Sequence, residues 1–406
     1  MKKRFYLKYS VLGVFALYLV GCQSDSIEEN STAIENITFK QSQVIPGSYI
    51  IELNDDMNSK LPTLSKVNSK AEFKSQQLSL RAFYLNEFKS IDLNSNAIKN
   101  VYGHALNGFA AQLSEAQVNA LRNDKRIKSV EEDLTISISP YKGKPGGGGG
   151  GNDPEEVPYG TTRVGGGGAT SSHVAWVIDS GIDQDHPDLN VDTSNSISFL
   201  SGSPSNQSPN DQNGHGTHVA GTIGAIDNEI GTVGVSPGNL VVAVRVLDRR
   251  GSGSTSGVIA GVNYVAANGS NGDVANMSLG GGVSTSLDNA VINASANVTF
   301  VLAAGNESDD ANNHSPARAN GPNIYTISAM NSSDNWASFS NYGDSVDYCA
   351  PGVAVKSAWK NGGYNTISGT SMAAPHAAGV LLFGNPSSDG TVNGDPDGDP
   401  DPIIHL

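Results

Sequence analysis

Residues 368–376 read Ser368-Gly369-Thr370-Ser371-Met372-Ala373-Ala374-Pro375-His376, a serine among small residues directly ahead of an apolar run that ends at Leu382. The apolar run predicts a helix. Pro375 fits the first turn of that helix, because no backbone N–H group is needed there. Ser371 is therefore expected at or just before the helix N-terminus, where free N–H groups and the positive end of the helix dipole stabilise an oxyanion.

A serine attacks poorly without a base, and the base needs a group that orients it. Candidates for both lie upstream in the chain. A histidine stands in Asn213-Gly214-His215-Gly216-Thr217-His218, and an aspartate stands in Val177-Ile178-Asp179-Ser180-Gly181. A fourth stretch, Ala303-Ala304-Gly305-Asn306, supplies an amide side chain.

The order Asp, His, Ser, together with these local motifs, resembles the subtilisin-like serine proteases and is most similar to their proteinase K branch, over roughly residues 159–382. The resemblance implies that Ser371 is the nucleophile, His215 the general base, and Asp179 the group that holds the imidazole tautomer. It also implies that the Asn306 amide joins the Ser371 backbone N–H in an oxyanion hole. No cofactor is implied for catalysis.

Other interpretations of these motifs stay open. His215 and His218 form a His-x-x-His pair that can present both rings to a metal from one helix face, although no third ligand is spaced nearby. A lone Gly-Asn pair such as Gly305-Asn306 is also typical of a turn. The alternative to an enzyme is a catalytically silent relative that serves as a surface binding module, and the intact motifs argue against it.

The charge of the chain excludes one class of partner. The 406 residues carry a net charge of −15, and the pI is near 4.8. Residues 152–406 hold 7 Lys+Arg and 25 Asp+Glu, a net charge of −18, so the acidity belongs to the C-terminal region. This balance argues against a nucleic-acid partner and suits a soluble protein outside the cell, which we expect to be a monomer.

Residues 1–21 predict a signal peptide, with a basic start and an apolar run that is too short to span a membrane comfortably. Leu19-Val20-Gly21-Cys22 resembles a bacterial lipobox. The resemblance implies lipidation of Cys22 and a protein that is exported and either anchored at the cell envelope or released. An ordinary secretory signal is the alternative. Cys349, the second of the two cysteines, is expected to be a buried thiol rather than a partner of Cys22.

A polar tether over residues 22–43 precedes a small domain over residues 44–139. The pattern strand, helix, strand, strand, helix, strand favours a ferredoxin-like fold for this domain. Residues 107–111 and 130–133 resemble the propeptide of subtilisin-like zymogens. The resemblance implies a partner within the same chain, because such a propeptide assists folding and then inhibits the active site. An unrelated small α/β domain is the alternative.

A glycine-rich linker over residues 140–156 contains six consecutive glycines, and cleavage of the propeptide is expected there. The catalytic domain is predicted over residues 157–384. Its apolar runs alternate with helical patterns, which indicates an α/β fold with a parallel sheet between two helical layers. The resemblance implies the three-layer subtilisin-like form of that fold. Functional residues of such sheets gather at the carboxyl ends of the strands.

Two glycine-containing segments resemble the family's peptide-binding strands; their residues are Gly251, Ser252, Gly253, Ser278, Leu279 and Gly280. Glycine allows a substrate backbone to approach and to pair as an added strand. We therefore expect protein or peptide substrates and broad specificity, with a preference for apolar or aromatic residues before the scissile bond. Plain turns are the alternative.

Calcium is expected only as a structural ion. Pro322, Ile324 and Asp347 match positions that hold calcium in the proteinase K branch, two through backbone carbonyls and one through a carboxylate. The tail, residues 385–406, departs from the family pattern and is rich in aspartate. We expect a solvated, disordered tail, with a calcium-organised tail as the alternative.

Overall fold

The computed structural model describes residues 42–138 and 153–406. Both ranges fall within one unit of mutually contacting residues, so their packing against each other can be described. The predicted signal peptide, Cys22, nearly all of the tether and residues 139–152 lie outside the described residues. Within the described part of the chain, no helix is long and apolar enough to cross a membrane.

The small domain has the predicted order of elements. These are β1 (Val44–Leu53), α1 (Lys70–Glu87), β2 (Ile98–Tyr102), β3 (Gly108–Gln112), α2 (Glu115–Arg122) and β4 (Ile127–Ser137), with short 3-10 helices at Asp55–Lys60 and Lys89–Ile91. The strands form an antiparallel sheet in the order β2-β3-β1-β4. Ser114 and Gln117 complete the expected capping box at the start of α2. The ferredoxin-like order is therefore confirmed.

The larger domain alternates strands with helices. Its elements are α3 (Tyr159–Arg163), β5 (Ala175–Asp179), β6 (Asn190–Val191), β7 (Ile197–Ser198), α4 (Pro204–Gln207), α5 (His215–Gly224), β8 (Leu240–Arg245), β9 (Ser252–Ser254), α6 (Thr255–Asn268), β10 (Val274–Met277), α7 (Thr285–Ala294), β11 (Thr299–Ala303), a 3-10 helix (Ala311–Asn313), β12 (Ile324–Met330), β13 (Tyr348–Pro351), β14 (Val355–Trp359), β15 (Gly363–Ile367), α8 (Thr370–Leu381), β16 (Ser387–Thr391) and β17 (Pro402–His405). The short hairpin β14-β15 lies outside the main sheet.

The main sheet follows the order β16-β17-β13-β12-β11-β10-β5-β8-β6, with β7 also paired to β8. Every pair except β16-β17 is parallel. One face packs against α6 and α7, where Val258, Val262 and Leu287 are fully buried. The other face packs against α5 and α8, where Val219 and Ala377 are fully buried. The predicted three-layer α/β/α arrangement is confirmed.

The C-terminal tail corrects the sequence-based expectation for residues 385–406. These residues are not a disordered tail, because β16 and β17 form an antiparallel pair and β17 continues the sheet in parallel with β13. Ile403 and Ile404 are buried, and Ile403 belongs to an apolar cluster with Met330 and Cys349. Burial of Val392, Ile403 and Ile404 helps to hold this end of the chain, since each apolar side chain gains free energy from leaving water. Cys349 is the expected buried free thiol.

Two predicted boundaries also change. Residues 153–156 were predicted as linker, yet Glu156 N donates to Gly231 O, and Gly231 N donates to Asp153 O. Gln43 was predicted as tether, yet it exchanges two hydrogen bonds with Thr135 of β4. In both cases most of the hydrogen bonds join backbone groups, and the Thr135 hydroxyl accepts the remaining one; such bonds leave no hydrophobic pattern in the sequence.

Candidate active site

Asp179 and His215 meet at the carboxyl edge of the main sheet. Asp179 is the last residue of β5, and His215 is the first residue of α5. His215 Nδ1 lies 2.9 Å from both carboxylate oxygens of Asp179, and both residues are buried. A carboxylate only accepts, so Nδ1 donates. Glycine is required at position 216, because a Cβ atom there would collide with Gly181 O and keep the helix away from Asp179.

The remaining ring nitrogen of His215, Nε2, is buried and has no hydrogen-bond partner. Ser371, the second residue of α8, instead donates its hydroxyl to Ser278 O at 3.2 Å. The structure therefore holds the Asp–His half of the predicted triad in place, whereas the serine hydroxyl has a different acceptor. Catalytic hydrogen bonds that are unformed without substrate are common and tighten in the reacting complex.

Pro375 lies one turn further into α8 than the sequence suggested. The helix begins at Thr370, so Pro375 is an interior residue and not part of the first turn. Because proline has no N–H group, the carbonyl of Ser371 four residues earlier loses its helical partner. Ser278 Oγ donates to that carbonyl at 2.9 Å. This hydrogen bond replaces the missing helical bond and links the start of α8 to the residue that follows β10.

Asn306, the predicted oxyanion-hole residue, lies beside the first turn of α8. Its Oδ1 accepts from Thr370 N at 2.7 Å and from Thr370 Oγ1 at 3.0 Å. With the oxygen held in this way, the NH₂ group is the free end of the amide. A Cβ atom on Gly369 would lie 3.7 Å from both Asn306 Nδ2 and Ser371 N. The two nitrogens, and Asn306 Oδ1 at the same distance, therefore border a common space beside Gly369, an arrangement that suits an oxyanion hole.

The predicted substrate edges are occupied by the chain's own β4. Residues 135–137 of β4 pair antiparallel with β9, and Ser137 forms a bridge with Gly280. Ser137 N donates to Gly280 O, Gly280 N donates to Ser137 O, both at 3.2 Å, and Ile138 N donates to Gly251 O at 3.0 Å. Both glycine-containing segments thus bind an extended backbone between them, which is the geometry of strand addition.

Two carboxylates of β4 cap helices of the larger domain. Glu131 accepts from the N–H and hydroxyl groups of Ser286, both at 3.0 Å, at the start of α7. Asp133 accepts from the N–H and hydroxyl groups of Ser256, at 2.9 and 2.6 Å, at the start of α6. This role of Glu131 and Asp133 was not predicted from the sequence. Two acids at alternate positions of one strand point to the same face, and that spacing is the signal that was available.

A pocket opens beside Ser371, and its wall includes Ser137, Asn306, Glu307 and His314. Neither Glu307 nor His314 was predicted from the sequence to line the site. Burial raises the pKa of Glu307, and the nearby His314 and a hydrogen bond from Asn341 partly offset that rise. The wall of this otherwise small-residue pocket therefore carries an ionisable pair.

The alternative of a two-histidine metal site finds no geometric support. His218 Nε2 lies 3.0 Å from Val355 O, whereas the His215 ring faces Asp179. Burial and the neighbouring His215 lower the pKa of His218 to about 3, so this ring stays neutral. Among residues 42–138 and 153–406, no group of three or more His, Cys, Asp or Glu side chains is arranged to hold a metal.

The predicted calcium residues lie at the opposite edge of the sheet. Ile324 is the first residue of β12, Pro322 stands two residues earlier, and Asp347 directly precedes β13. Thr326 N donates to Asp347 Oδ2 at 2.8 Å. Burial raises the pKa of Asp347, and that hydrogen bond partly offsets the rise. This edge carries the amino ends of the strands, so the three residues are remote from Ser371 in the topology.

The fold, the Asp–His pair, the flanked oxyanion space and the strand-binding edges together define a serine peptidase. The model of the subtilase family matches residues 173–383, about half of the chain. The model of the peptidase inhibitor I9 family matches residues 48–139. The chain belongs to the subtilase family, and its small domain is an I9-type propeptide domain.

Curated and solved relatives agree with this assignment. Alkaline serine exoprotease A of Vibrio alginolyticus is 44% identical, over 72% of this chain and 54% of that protein. The extracellular serine proteinase of Thermus sp. (strain Rt41A) is 37% identical, over 90% of this chain and 87% of that protein. The crystal structure of a cold adapted subtilisin-like serine proteinase is 39% identical and covers 61% of this chain and 97% of that one, with a TM-score of 0.52.

Proposed function

We propose that this chain is a secreted serine endopeptidase, made as a zymogen that processes itself, with Asp179, His215 and Ser371 as its triad. The observation that carries the proposal is the path of β4. This strand binds as a substrate would between Gly251 and Gly280, and the pocket beside it is lined by Ser371. The same binding mode makes the propeptide an inhibitor once the chain has been cut.

The reaction begins when the Ser371 hydroxyl leaves Ser278 O and donates to His215 Nε2. His215 takes the proton as Ser371 Oγ attacks the scissile carbonyl, and Asp179 stabilises the resulting imidazolium through Nδ1–H. Ser371 N and Asn306 Nδ2 donate to the oxyanion. The imidazolium then gives its proton to the leaving amine, and water hydrolyses the acyl-enzyme by the same steps in reverse order.

The proposal is tested by labelling with a fluorophosphonate, which reacts with an activated serine. Purified wild type should be labelled after processing, whereas Ser371→Ala should not be. An exposed serine supplies the matched control, because Ser332→Ala should label as wild type does. Folded and processed wild type that takes no label would contradict the proposal and favour a catalytically silent binding module.

We also propose that the protein is exported through residues 1–21 and lipid-anchored at Cys22. The names of relatives that include the words exoprotease and extracellular support the export. The lipobox-like Leu19-Val20-Gly21-Cys22 supports the anchor. Mass spectrometry of the mature N-terminus should find acyl chains on Cys22, and Cys22→Ala should move the enzyme from the membrane fraction to the medium. An unacylated N-terminus elsewhere would overturn the anchor.

We propose calcium as a structural ion at Asp347, with the carbonyls of Pro322 and Ile324 as further ligands. The donors are all oxygen, which suits a hard cation, and a half-buried carboxylate with a raised pKa gains from a nearby positive charge. Chelator should lower the Tm of Ser371→Ala protein, and the added change Asp347→Asn should abolish that sensitivity. A chelator effect of equal size in both proteins would place the ion elsewhere.

The placement on the proteinase K branch and the monomeric state stay predictions. The first rests on the motif around Ser371 and on the calcium positions. The second rests on the charge of the catalytic region, which opposes self-association. Light scattering of purified enzyme should give the mass of one chain, and a dimer mass would contradict the second prediction.

A further inference from the structure

Asp211 occupies the position of a cap for the helix that carries His215. The residue before α5, Gly214, has no side chain to cap the helix. Asp211 Oδ1 accepts from Asn213 N at 2.8 Å and from Gly214 N at 2.9 Å, and Oδ2 accepts from Thr217 N at 3.0 Å. A buried carboxylate thus receives the Thr217 N–H of the first turn and two N–H groups directly before the helix.

The same carboxylate is linked to the Asp179 turn. Ser180 Oγ donates to Asp211 Oδ1 at 3.0 Å and accepts from Gly216 N at 3.0 Å. Ser180 directly follows the catalytic Asp179 in the chain, and Gly216 directly follows His215. One hydroxyl and one carboxylate therefore set the spacing between the two segments that supply the Asp–His pair.

Arg245 holds the loop that presents Asp211. It is the largest fully buried side chain in the described part of the protein. Its Nη1 donates to the carbonyls of Ser205, Ser208 and Asn210, at 2.9, 2.9 and 3.0 Å, and Nη2 donates to Gln212 Oε1 at 3.2 Å. Among residues 42–138 and 153–406, no carboxylate lies within ion-pair distance of this guanidinium. Nε also donates to Leu247 O at 3.3 Å, so most acceptors of this buried cation lie in residues 205–212, the loop that contains Asp211.

The charges of the buried Asp211 carboxylate and the buried Arg245 guanidinium stabilise each other. Burial raises the pKa of Asp211, and the N–H and hydroxyl donors around it offset part of that rise. Burial lowers the pKa of Arg245, and the charge of Asp211 acts in the opposite direction. Each charge therefore favours the ionised form of the other, although neither donates to the other directly.

We infer that Asp211 and Arg245 are positioning residues that fix the start of α5, and with it the 2.9 Å contact between His215 and Asp179. The inference rests on the proposed function, because it gives His215 its catalytic part. Neither residue touches the substrate; both act through the backbone that carries His215. Misplacement of a catalytic group by about 1 Å can cost about a hundredfold in rate.

The test compares Asp211→Asn, Arg245→Lys and Arg245→Met with two matched controls. Asp192→Asn removes a carboxylate that also accepts local N–H groups, at 2.9 and 3.0 Å, but that lies beside the amino end of β8. Arg163→Met removes an arginine that pairs with Asp334 and Asp389, far from the triad in the fold. Each variant is expressed as the full chain, and active sites are counted by fluorophosphonate labelling.

Per labelled site, we expect kcat to fall roughly ten- to a hundredfold in the Asp211 and Arg245 variants, with KM unchanged and both controls at wild-type kcat. In a plot of kcat/KM against pH, the acid limb should shift in opposite directions in Asp211→Asn and in Arg245→Met. The shift should be to lower pH in Asp211→Asn, which loses a buried anion, and to higher pH in Arg245→Met, which loses a buried cation. The other ionisable groups near the start of α5 are the same residues in every variant; they are Asp179, Asp183, His218 and Lys360.

A lower Tm with unchanged kcat per site and an unchanged pH profile would show a merely structural role and overturn the inference. If Asp211→Asn fails to fold, the two Arg245 variants decide, since Arg245→Lys keeps the charge and part of the hydrogen bonding. Wild type that takes no label would refute the proposed function itself. Labelled wild type with variants that match it would refute only this inference.

Discussion

At the scale of single residues, the site depends on small groups that allow close approach. Gly216 brings the start of α5 against the Asp179 turn, and Gly369 leaves the space between Ser371 N and Asn306 Nδ2 open. Ser278 takes over the carbonyl that Pro375 leaves without a helical partner. Each of these residues acts on the backbone geometry around a catalytic atom, and none of them supplies the chemistry.

Glu307 gives a prediction at this scale. Its carboxylate lines the pocket beside Ser371, so it should favour substrates with a cationic side chain before the scissile bond. Glu307→Gln should lower the ratio of kcat/KM for lysine over phenylalanine at that position about fivefold, a size typical of a partly exposed charge pair. Because the pKa of Glu307 is raised, the wild-type ratio should rise with pH across the range in which the carboxyl group ionises.

Matched peptides that differ only at that position measure this ratio, and Asp344→Asn, an exposed acid, is the control. A ratio that does not change in Glu307→Gln would mean that the carboxylate does not reach the substrate side chain.

At the scale of elements, the sequence predicted those helices and strands that are marked by a hydrophobic periodicity or by a turn motif. The apolar runs of the larger domain were recognisable as buried strands, among them β5 and β11. Contacts between distant elements were not recognisable. Pro375 was placed in a first turn, because nothing in its own segment reveals the hydroxyl of Ser278. β17 was missed, because two isoleucines beside an acidic turn form no periodic pattern.

The capping carboxylates of β4 lead to a prediction about inhibition. Asp133→Asn should weaken inhibition of the mature enzyme by the released propeptide roughly ten- to a hundredfold, because a charge-assisted hydrogen bond to the start of α6 contributes about 1.5–3 kcal/mol. The inhibition constant of cleaved propeptide, measured in trans, tests this. Glu132 is exposed on the other face of the same strand, so Glu132→Gln should inhibit as wild type does. Equal inhibition by the wild-type, Asp133→Asn and Glu132→Gln propeptides would show that the capping hydrogen bond of Asp133 does not contribute to inhibition.

Asp401 gives a prediction about the stability of the β16-β17 pair. Burial and the nearby Asp395, Asp397 and Asp399 raise the pKa of Asp401 to about 7. A carboxyl group whose folded pKa is raised contributes stability below its unfolded pKa, near 3.9, and that stability is lost as pH rises toward 7. Thermal unfolding of Ser371→Ala protein in chelator should therefore show a Tm that falls over this range.

The additional change Asp401→Asn should make that fall shallower, because the amide cannot ionise and still accepts from Ser328. Asp344→Asn, which removes an exposed acid, should leave the slope unchanged. A wild-type slope that persists in Asp401→Asn would assign the pH dependence to other buried acids, among which Asp188 also has a pKa raised to about 7.

At the scale of the whole molecule, the two edges of the main sheet carry residues with different proposed roles. The carboxyl ends of β5, β10 and β11 carry the proposed catalytic and substrate-binding residues, in keeping with the order of the parallel strands. The amino ends of β12 and β13 carry the proposed calcium residues. The propeptide domain adds its β4 to β9 and so fills the cleft that a substrate would use. Under the proposed function, the fold therefore contains the enzyme together with its first substrate and inhibitor.

The most direct test of the central claim is the intact mass of the purified full chain, wild type against Ser371→Ala, with Ser332→Ala as the control. The account predicts that wild type and Ser332→Ala separate into a propeptide and a catalytic fragment, cut between Ile138 and Asp153. It predicts that Ser371→Ala stays one chain. A Ser371→Ala chain that cuts itself at the same bond would contradict the account.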